Sequence, residues 1–84
     1  MTIISILKKY DFMPRGKRSL WWGIGSTVWG HIAEVTPMGG DVYSVRYHEW
    51  QYNCDGDCVV DEDNTIVLYG AQVLTFLFEN LPLF

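Results

Sequence analysis

The stretch VYSVRYHEW, residues 42–50, decides the fold, because large apolar and polar side chains alternate along it. The two alternating sets are Tyr43, Val45 and Tyr47, and Ser44, Arg46 and His48. A period of two is typical of a β-strand with one face buried and the other in solvent. The sequence therefore predicts a half-buried strand here, with the first set facing the core.

The segments on either side of residues 42–50 also favour strands. Upstream, TVWGHIAEV alternates until Ile32 and then slips phase to Val35, which predicts a bulged strand. TPMGGD then predicts a turn, because it combines proline with two glycines. Downstream, Asp55-Gly56 predicts a hairpin tip, DEDN predicts a second turn, and TIVLY predicts the last strand.

Both ends of the chain favour short helices. Thr2 can cap an N-terminal helix, and MPRGKRS after it is predicted to be a basic loop. Near the other end, AQVLTFLFEN has helical spacing. Its predicted apolar stripe consists of Ala71, Leu74, Leu77 and Phe78.

Eighty-four residues make a single domain. We expect a helix and basic loop over residues 1–19, a β-barrel over residues 20–69, and a helix with an apolar tail over residues 70–84. Short strands, a bulge and tight turns predict a mainly β fold. Its architecture is expected to be a small antiparallel barrel or a strongly bent sheet, with short N- and C-terminal helices.

One pattern extends through the predicted strands. It reads Gly25-Ser26-x-Val28-x-Gly30-x-Ile32-x-x-Val35, a turn, and Tyr43-x-Val45-x-Tyr47. This pattern resembles the opening strands of small SH3-like β-barrels of the Tudor type, and the resemblance covers about Gly25 to Leu74. It implies an SH3-like barrel. It also implies an aromatic cage for methylated side chains, near Trp29, Tyr47 and Trp50.

The composition is apolar for a short chain: 49% of the residues are hydrophobic and 15% aromatic, and only 19% are charged. Apolar surface left exposed on a small domain indicates a partner or self-association. The C-terminal residues are apolar beyond the needs of one helix face. They are Leu77, Phe78, Leu81, Leu83 and Phe84. We therefore expect this tail to dock on a partner or to form a homodimer.

Charge is distributed unevenly along the chain. The first 18 residues hold five cations against one acid, a charge of +4, and the remainder holds one cation against nine acids, a charge of −8. Five of those acids form a cluster: Asp55, Asp57, Asp61, Glu62 and Asp63. Such a surface steers a protein towards a basic partner, since opposite charges speed encounter.

The predicted function is non-enzymatic binding of a basic protein partner in the cytoplasm. The acidic loop would give specificity, and the four tryptophans would serve as anchors: Trp21, Trp22, Trp29 and Trp50. By analogy with small acidic viral inhibitors of host enzymes, one specific form of this hypothesis is an inhibitor or adaptor that docks on a basic groove.

Two alternatives remain open. A nucleic-acid-binding barrel would use cations beside Trp21 and Trp22, because cations bind phosphates and rings stack on bases. Those cations are Lys8, Lys9, Arg15, Lys17 and Arg18. A zinc-stabilised structural module would use His48, Cys54 and Cys58, because imidazole and thiolate suit zinc.

Patterns of known catalytic and cofactor sites are missing from the sequence. Gly25-x4-Gly30 is followed by His31 and Ile32, where a phosphate-binding loop requires lysine and a hydroxyl residue. We therefore predict no enzymatic activity and no cofactor. The first residues do not fit a signal peptide, and no apolar run approaches the ~20 residues of a membrane span. A cytoplasmic protein with reduced thiols is expected.

Overall fold

The computed structural model describes residues 2–53 and 55–81. In chain order the elements are α1 (Ile3–Lys9), β1 (Met13–Arg15), β2 (Ser19–Gly25), β3 (Trp29–Gly39), β4 (Val42–Tyr52), β5 (Cys58–Tyr69) and α2 (Ala71–Asn80). The strands form one antiparallel sheet in sequential order. The mainly β fold with a helix at each end is thus confirmed. The sheet is open, with β1 and β5 as its edges among the described residues, and does not close into a barrel.

Strand β4 lies inside the sheet and fixes which face is buried. Val45 pairs with Val35 of β3 and with Ile66 of β5. Because directly paired residues lie on the same face, one face carries a row of buried side chains. They are Leu20, Trp22, Ala33, Val35, Tyr43, Val45 and Tyr47. The burial of Tyr43, Val45 and Tyr47 confirms the alternation predicted for residues 42–50.

The two helices cover this face, which is called the helix-side face below. Their buried residues join the sheet residues in one core: Leu7 of α1, Phe12, Val73 and Leu77 of α2, and Leu81. The predicted cap of α1 is confirmed, because the Thr2 hydroxyl accepts a hydrogen bond from the Ser5 N–H at 3.1 Å.

The apolar stripe predicted for α2 is wrong in part. Val73 and Leu77 are fully buried, whereas Ala71 is exposed and Leu74 is half-buried. The helix begins directly after Gly70, which has a φ of +47° and donates its N–H to the Asp41 carbonyl at 2.9 Å. This fixed turn sets the rotation of the helix on the sheet, and the line through residues 73, 77 and 81 faces the core.

The bulge predicted between Ile32 and Val35 is also wrong. Strand β3 pairs with β4 without interruption from Trp29 to Pro37, and the irregularity lies between Pro37 and Gly39. The phase slip in the sequence has another cause. Ile32 pairs with His48, so its side chain lies on the sheet face opposite the helices.

Two segments that were predicted to be loops belong wholly or partly to strands. Residues 61–64, expected to form a turn, lie inside β5, which is continuous from Cys58 to Tyr69. The basic segment begins with β1, which pairs with residues 19–21 of β2. The sheet therefore starts at Met13 and not at residue 20. In both cases pairing with a neighbouring strand outweighs the local preference for a turn.

The long strands extend beyond the helices. The molecule measures 46 × 24 × 21 Å, and the buried core side chains of β3 and β4 reach no further along the strands than Ala33 and Tyr47. Beyond them lies a projecting part of the sheet, called the arm below. It consists of residues 28–32, 48–53 and 55–62.

Candidate protein-binding face

The sheet face opposite the helices, called the open face below, carries an apolar cluster. Trp21 on β2, Ile32 on β3 and Trp50 on β4 belong to this face, because they alternate with the buried residues of their strands. All three are half-buried although neither helix covers them. The cluster therefore shields itself in part and leaves the rest of its apolar surface in solvent.

Two glycines make room for the tryptophan rings. A Cβ atom built on Gly23 would lie 2.5 Å from Cη2 of Trp21, and one built on Gly30 would overlap the Trp50 ring. Neither glycine has a positive φ. Space beneath the ring, and not backbone geometry, is therefore the reason that these positions need glycine.

Two shallow clefts lie on the open face and share Ile32 and Trp50. The first encloses about 300 Å³ between Trp21, Gly23, Ile32 and Trp50. The second encloses about 250 Å³, and its lining consists of Ile32, His48, Trp50, Tyr52 and Asp61. Together they give the open face a concave apolar floor, with a carboxylate on one side.

Carboxylates on β5 border the cluster and are held in place by β4. The Arg46 guanidinium donates to both carboxylate oxygens of Asp63, from Nε at 3.0 Å and from a terminal nitrogen at 2.6 Å. These hydrogen bonds lower the pKa of the Asp63 carboxyl. Asp61 Oδ1 lies 2.8 Å from His48 Nε2. At the opposite border, the Arg15 guanidinium lies 5.9 Å from the Trp21 ring centroid.

A polar network occupies the other face of the sheet, at the base of the arm. Tyr47 Oη lies 3.2 Å from His31 Nδ1, 3.0 Å from Glu49 Oε2 and 3.2 Å from the Asn80 carbonyl. Burial, and then the hydrogen bond to Glu49, raise the pKa of Tyr47 well above its usual value. The phenol therefore stays protonated and links β4 to the end of α2.

The four predicted tryptophan anchors do not form one surface. Trp21 and Trp50 lie on the open face, but Trp22 is 8% exposed and belongs to the core. Trp29 is 40% exposed and lies on the helix-side face, with its ring 6.2 Å from that of His31. The cage implied for Trp29, Tyr47 and Trp50 is not assembled, because strand alternation places Trp50 on the opposite face from the other two.

The predicted acidic cluster is divided among three places. Asp55 and Asp57 lie at the hairpin tip, where Asn53 Oδ1 accepts both of their N–H groups at 3.0 and 2.9 Å. Asp61 and Asp63 border the open face, whereas Glu62 belongs to the helix-side face. The tip predicted from Asp55-Gly56 is confirmed, and Gly56 has a φ of +85°.

The residues of the zinc alternative are not brought together where the structure describes them. His48 pairs with Asp63 in the ladder and Cys58 with Tyr52, four residues further along β4. This separation is about 13 Å at the usual rise of a strand. Cys54 lies outside the described residues, and those described include no group of three metal-binding side chains.

The cations of the nucleic-acid alternative are exposed but separated. Lys8 and Lys9 end α1, whereas Lys17 and Arg18 lie in the turn between β1 and β2. Arg15 lies against the Trp21 ring, with its guanidinium carbon 5.9 Å from the ring centroid. Of the apolar tail, Leu81 is buried in the core, and residues 82–84 lie outside the described part.

Ile32 and the two glycines are the site residues that sequence reasoning missed. The signal was present in the phase slip at Ile32, which marks an apolar residue on the solvent side of a strand.

Comparisons of the chain with protein-family models, curated proteins and solved structures found no match. Among the described residues, no helix is both long and apolar enough to cross a membrane.

Proposed function

We propose that this protein is a non-enzymatic binding module that docks a basic protein partner on its open face. The observation that carries this proposal is the cluster of Trp21, Ile32 and Trp50 on a face that neither helix covers. Half-exposed tryptophans in a concave apolar floor resemble the anchors that supply most of the affinity in protein interfaces. Contiguous apolar surface that stays exposed on a small domain marks an interaction site.

The charge around the cluster favours a basic partner. Asp61 and Asp63 border it, and Asp55 and Asp57 lie at the tip of the arm. The chain carries a charge of −8 beyond its first 18 residues. This arrangement speeds encounter with a positively charged surface, while the apolar floor provides the affinity.

A specific form of this proposal is a small viral-type inhibitor or adaptor acting in the cytoplasm. The arm supports it, because a narrow projecting sheet with acids at its tip suits insertion into a basic groove. The proposal includes a fold related to SH3-like barrels of the Tudor type, because a small five-stranded antiparallel sheet is compatible with a barrel-like fold. For its assembly we propose a homodimer through the C-terminal tail.

Nucleic-acid binding is the second candidate. The observation in its favour is the Arg15 guanidinium over the Trp21 ring, with Lys17 and Arg18 in the adjacent turn. Cations beside an exposed ring suit phosphates and bases. Carboxylates on the opposite border of the same face oppose a polyanion, and we therefore place this candidate second.

Affinity capture with matched variants tests the proposal. Wild-type protein, Trp50→Ala and Trp29→Ala are immobilised and exposed to cell lysate with and without nuclease treatment, and bound proteins are quantified by mass spectrometry. The two variants remove the same side chain from opposite faces of the arm. We expect a basic protein that wild type and Trp29→Ala retain, and that Trp50→Ala loses by about tenfold or more.

The recovered protein is then purified and titrated by calorimetry at several salt concentrations. Affinity should fall as salt rises, because the carboxylate border contributes to binding. Equal retention by both tryptophan variants would contradict the proposal. Capture that disappears with nuclease and requires Lys17 and Arg18 would favour nucleic acid instead.

A further inference from the structure

Strand β5 is an unusually long free edge. It has 12 residues and, within residues 2–53 and 55–81, pairs only with β4, whereas β1 at the other edge has three residues. Its side chains are largely exposed, including Val67 at 50% and Tyr69 at 61%. An edge strand presents a row of main-chain N–H and C=O groups to any chain that can pair with it.

The direction of these groups follows from the end of the strand. Gly70 donates its N–H to the Asp41 carbonyl on the β4 side, and Tyr69 donates its N–H to the Gln72 side chain at 3.1 Å. Main-chain groups alternate in direction along an antiparallel strand. The register is regular from Val60 to Tyr69, so odd-numbered residues from 61 to 69 direct their N–H and C=O groups away from β4.

We propose that this free edge binds an extended segment of the partner by β-strand addition. The inference rests on the proposed function and specifies how the partner is held. Main-chain hydrogen bonds to β5 would supply affinity, and side chains on either face of the added strand would supply specificity. On the open face, the added strand would lie beside the Asp61 and Asp63 border.

The side chains of β5 define the chemistry of that segment. Residues 61–63 are acidic, whereas residues 66–69 are apolar. On the helix-side face Glu62 lies directly opposite Glu49, and like charges in this position destabilise a sheet. No ion pair to either carboxylate occurs within the described residues. A basic side chain in the added strand would relieve this repulsion, so the segment should be basic in one half and apolar in the other.

A second copy of the chain fits this edge poorly. When two β5 strands pair symmetrically and antiparallel, the position of the two-fold axis decides which residues lie opposite each other. An axis near residue 62 brings the acidic segments together, and an axis near residue 64 places carboxylates opposite Ile66 and Val67. Only an axis near Val67 avoids both arrangements, and it pairs about five residues.

A designed peptide tests strand addition on the wild-type protein. The probe is an acetylated, amidated decapeptide with alternating valine and threonine in its first half and alternating lysine and threonine in its second. In antiparallel pairing its lysines meet residues 61–63. Two further peptides each carry N-methyl groups at three alternate positions. In one peptide the methyl groups lie on the edge that faces β5, and in the other they lie on the outer edge. Binding is followed by amide shifts of ¹⁵N-labelled protein.

We expect the unmodified peptide to bind and to shift the amides of odd-numbered β5 residues most. Methylation of the edge that faces β5 should weaken binding about fivefold for each of three lost hydrogen bonds, about 100-fold in total. Methylation of the outer edge should change it less than about twofold. Absence of binding, or equal loss with both methylated peptides, would overturn the proposal.

A matched pair of protein variants addresses the same edge. Val67→Pro removes one outward N–H, and proline is tolerated in an edge strand where that group faces solvent. Val67→Ala shortens the side chain but keeps the N–H. Val67→Pro should weaken the peptide at least about fivefold and Val67→Ala less than about twofold, with both folds checked by amide spectra. Equal effects would count against strand addition, and the methylated peptides decide the question if Val67→Pro does not fold.

The outcomes separate this inference from the proposed function. If the captured partner requires Trp50 but binds Val67→Pro and Val67→Ala equally, the open face stands and strand addition fails. If the peptide binds as expected while Trp50→Ala retains the partner, the edge stands and the open-face docking fails.

Discussion

At the scale of single residues, the glycine beneath each tryptophan ring shapes the open face. Gly30 is buried by Trp50, and Gly23 lies beneath Trp21. A ring held against the backbone loses little additional freedom when a partner binds, so less entropy opposes association. These two positions therefore prepare the face for binding without contacting the partner themselves.

Gly30→Ala tests this arrangement. The added methyl group would overlap the Trp50 ring, so the variant should be less stable by about 1–3 kcal/mol, as is usual for overpacking. In a Trp50→Ala background the same change should cost much less, because the obstructing ring is absent. Chemical denaturation of the four proteins measures the coupling. Additive effects would show that the ring does not occupy the space above Gly30.

Tyr47→Phe tests the polar network on the helix-side face. Burial raises the pKa of Tyr47 above its ordinary value of 10.0. The neutral phenol therefore contributes stability that is fully present below pH 10 and is lost as the pH rises above it. The unfolding free energy of wild type should fall above pH 10, and this fall should be smaller in Tyr47→Phe. Adding Tyr43→Phe to Tyr47→Phe should make this fall in unfolding free energy smaller still, since burial and Asp41 raise the pKa of Tyr43.

Denaturation curves between pH 8 and pH 11 measure this effect. Near pH 7 Tyr47→Phe should cost about 1 kcal/mol for its lost hydrogen bonds. A variant with the wild-type alkaline slope would show that the hydroxyl is not buried in the network.

Single residues also mark the limit of prediction from sequence. The alternation within residues 42–50 identified the buried side chains of β4 correctly, because every second residue from Tyr43 to Tyr47 is large and apolar. The pair Trp21-Trp22 shows no such alternation, because both residues are tryptophan. The pairing of β2 with β3 decides which of the two rings enters the core. Ile32 is misleading for a related reason. An apolar residue on the open face interrupts the alternation of the strand and therefore resembles the phase change of a bulge.

At the scale of elements, β5 depends on interactions that its own sequence does not show. DEDN is polar enough to predict a turn, but Arg46 and His48 of β4 lie beside Asp63 and Asp61. These cross-strand contacts compensate the poor strand preference of the acids. The rotation of α2 was likewise unreadable, because the turn at Gly70 and the sheet beneath determine it.

Asp63→Asn tests how β5 is held to β4. The hydrogen bond from Arg46 lowers the pKa of Asp63 below its ordinary 3.8. The ionised carboxylate therefore contributes stability that is present above pH 3.8 and is lost as the pH falls through the lower folded value. Wild type should lose stability below that pH more steeply than Asp63→Asn.

The pair is exposed, so the difference should be small and should shrink further in high salt. Asp55→Asn at the hairpin tip is the matched control, because the same change there removes no ion pair to β4. Asp63→Asn and Asp55→Asn with the same acid dependence would contradict the assigned ion pair.

At the scale of the whole molecule, a small core supports an arm that it does not cover. The helices bury the helix-side face near residues 33–35 and 43–47, whereas the described residues of the arm include no fully buried side chain. The class of fold followed from composition and period, because those are local properties. The open sheet and the position of the tryptophans did not, because they depend on register between strands that are distant in sequence.

The central claim is that the open face docks a basic protein through Trp21 and Trp50. The most direct test follows the indole N–H signals of the four tryptophans while the captured, purified partner is added to ¹⁵N-labelled protein. We predict that the signals of Trp21 and Trp50 shift or broaden, whereas those of Trp22 in the core and Trp29 on the helix-side face change little. Changes confined to Trp29, or equal for all four indoles, would contradict the claim.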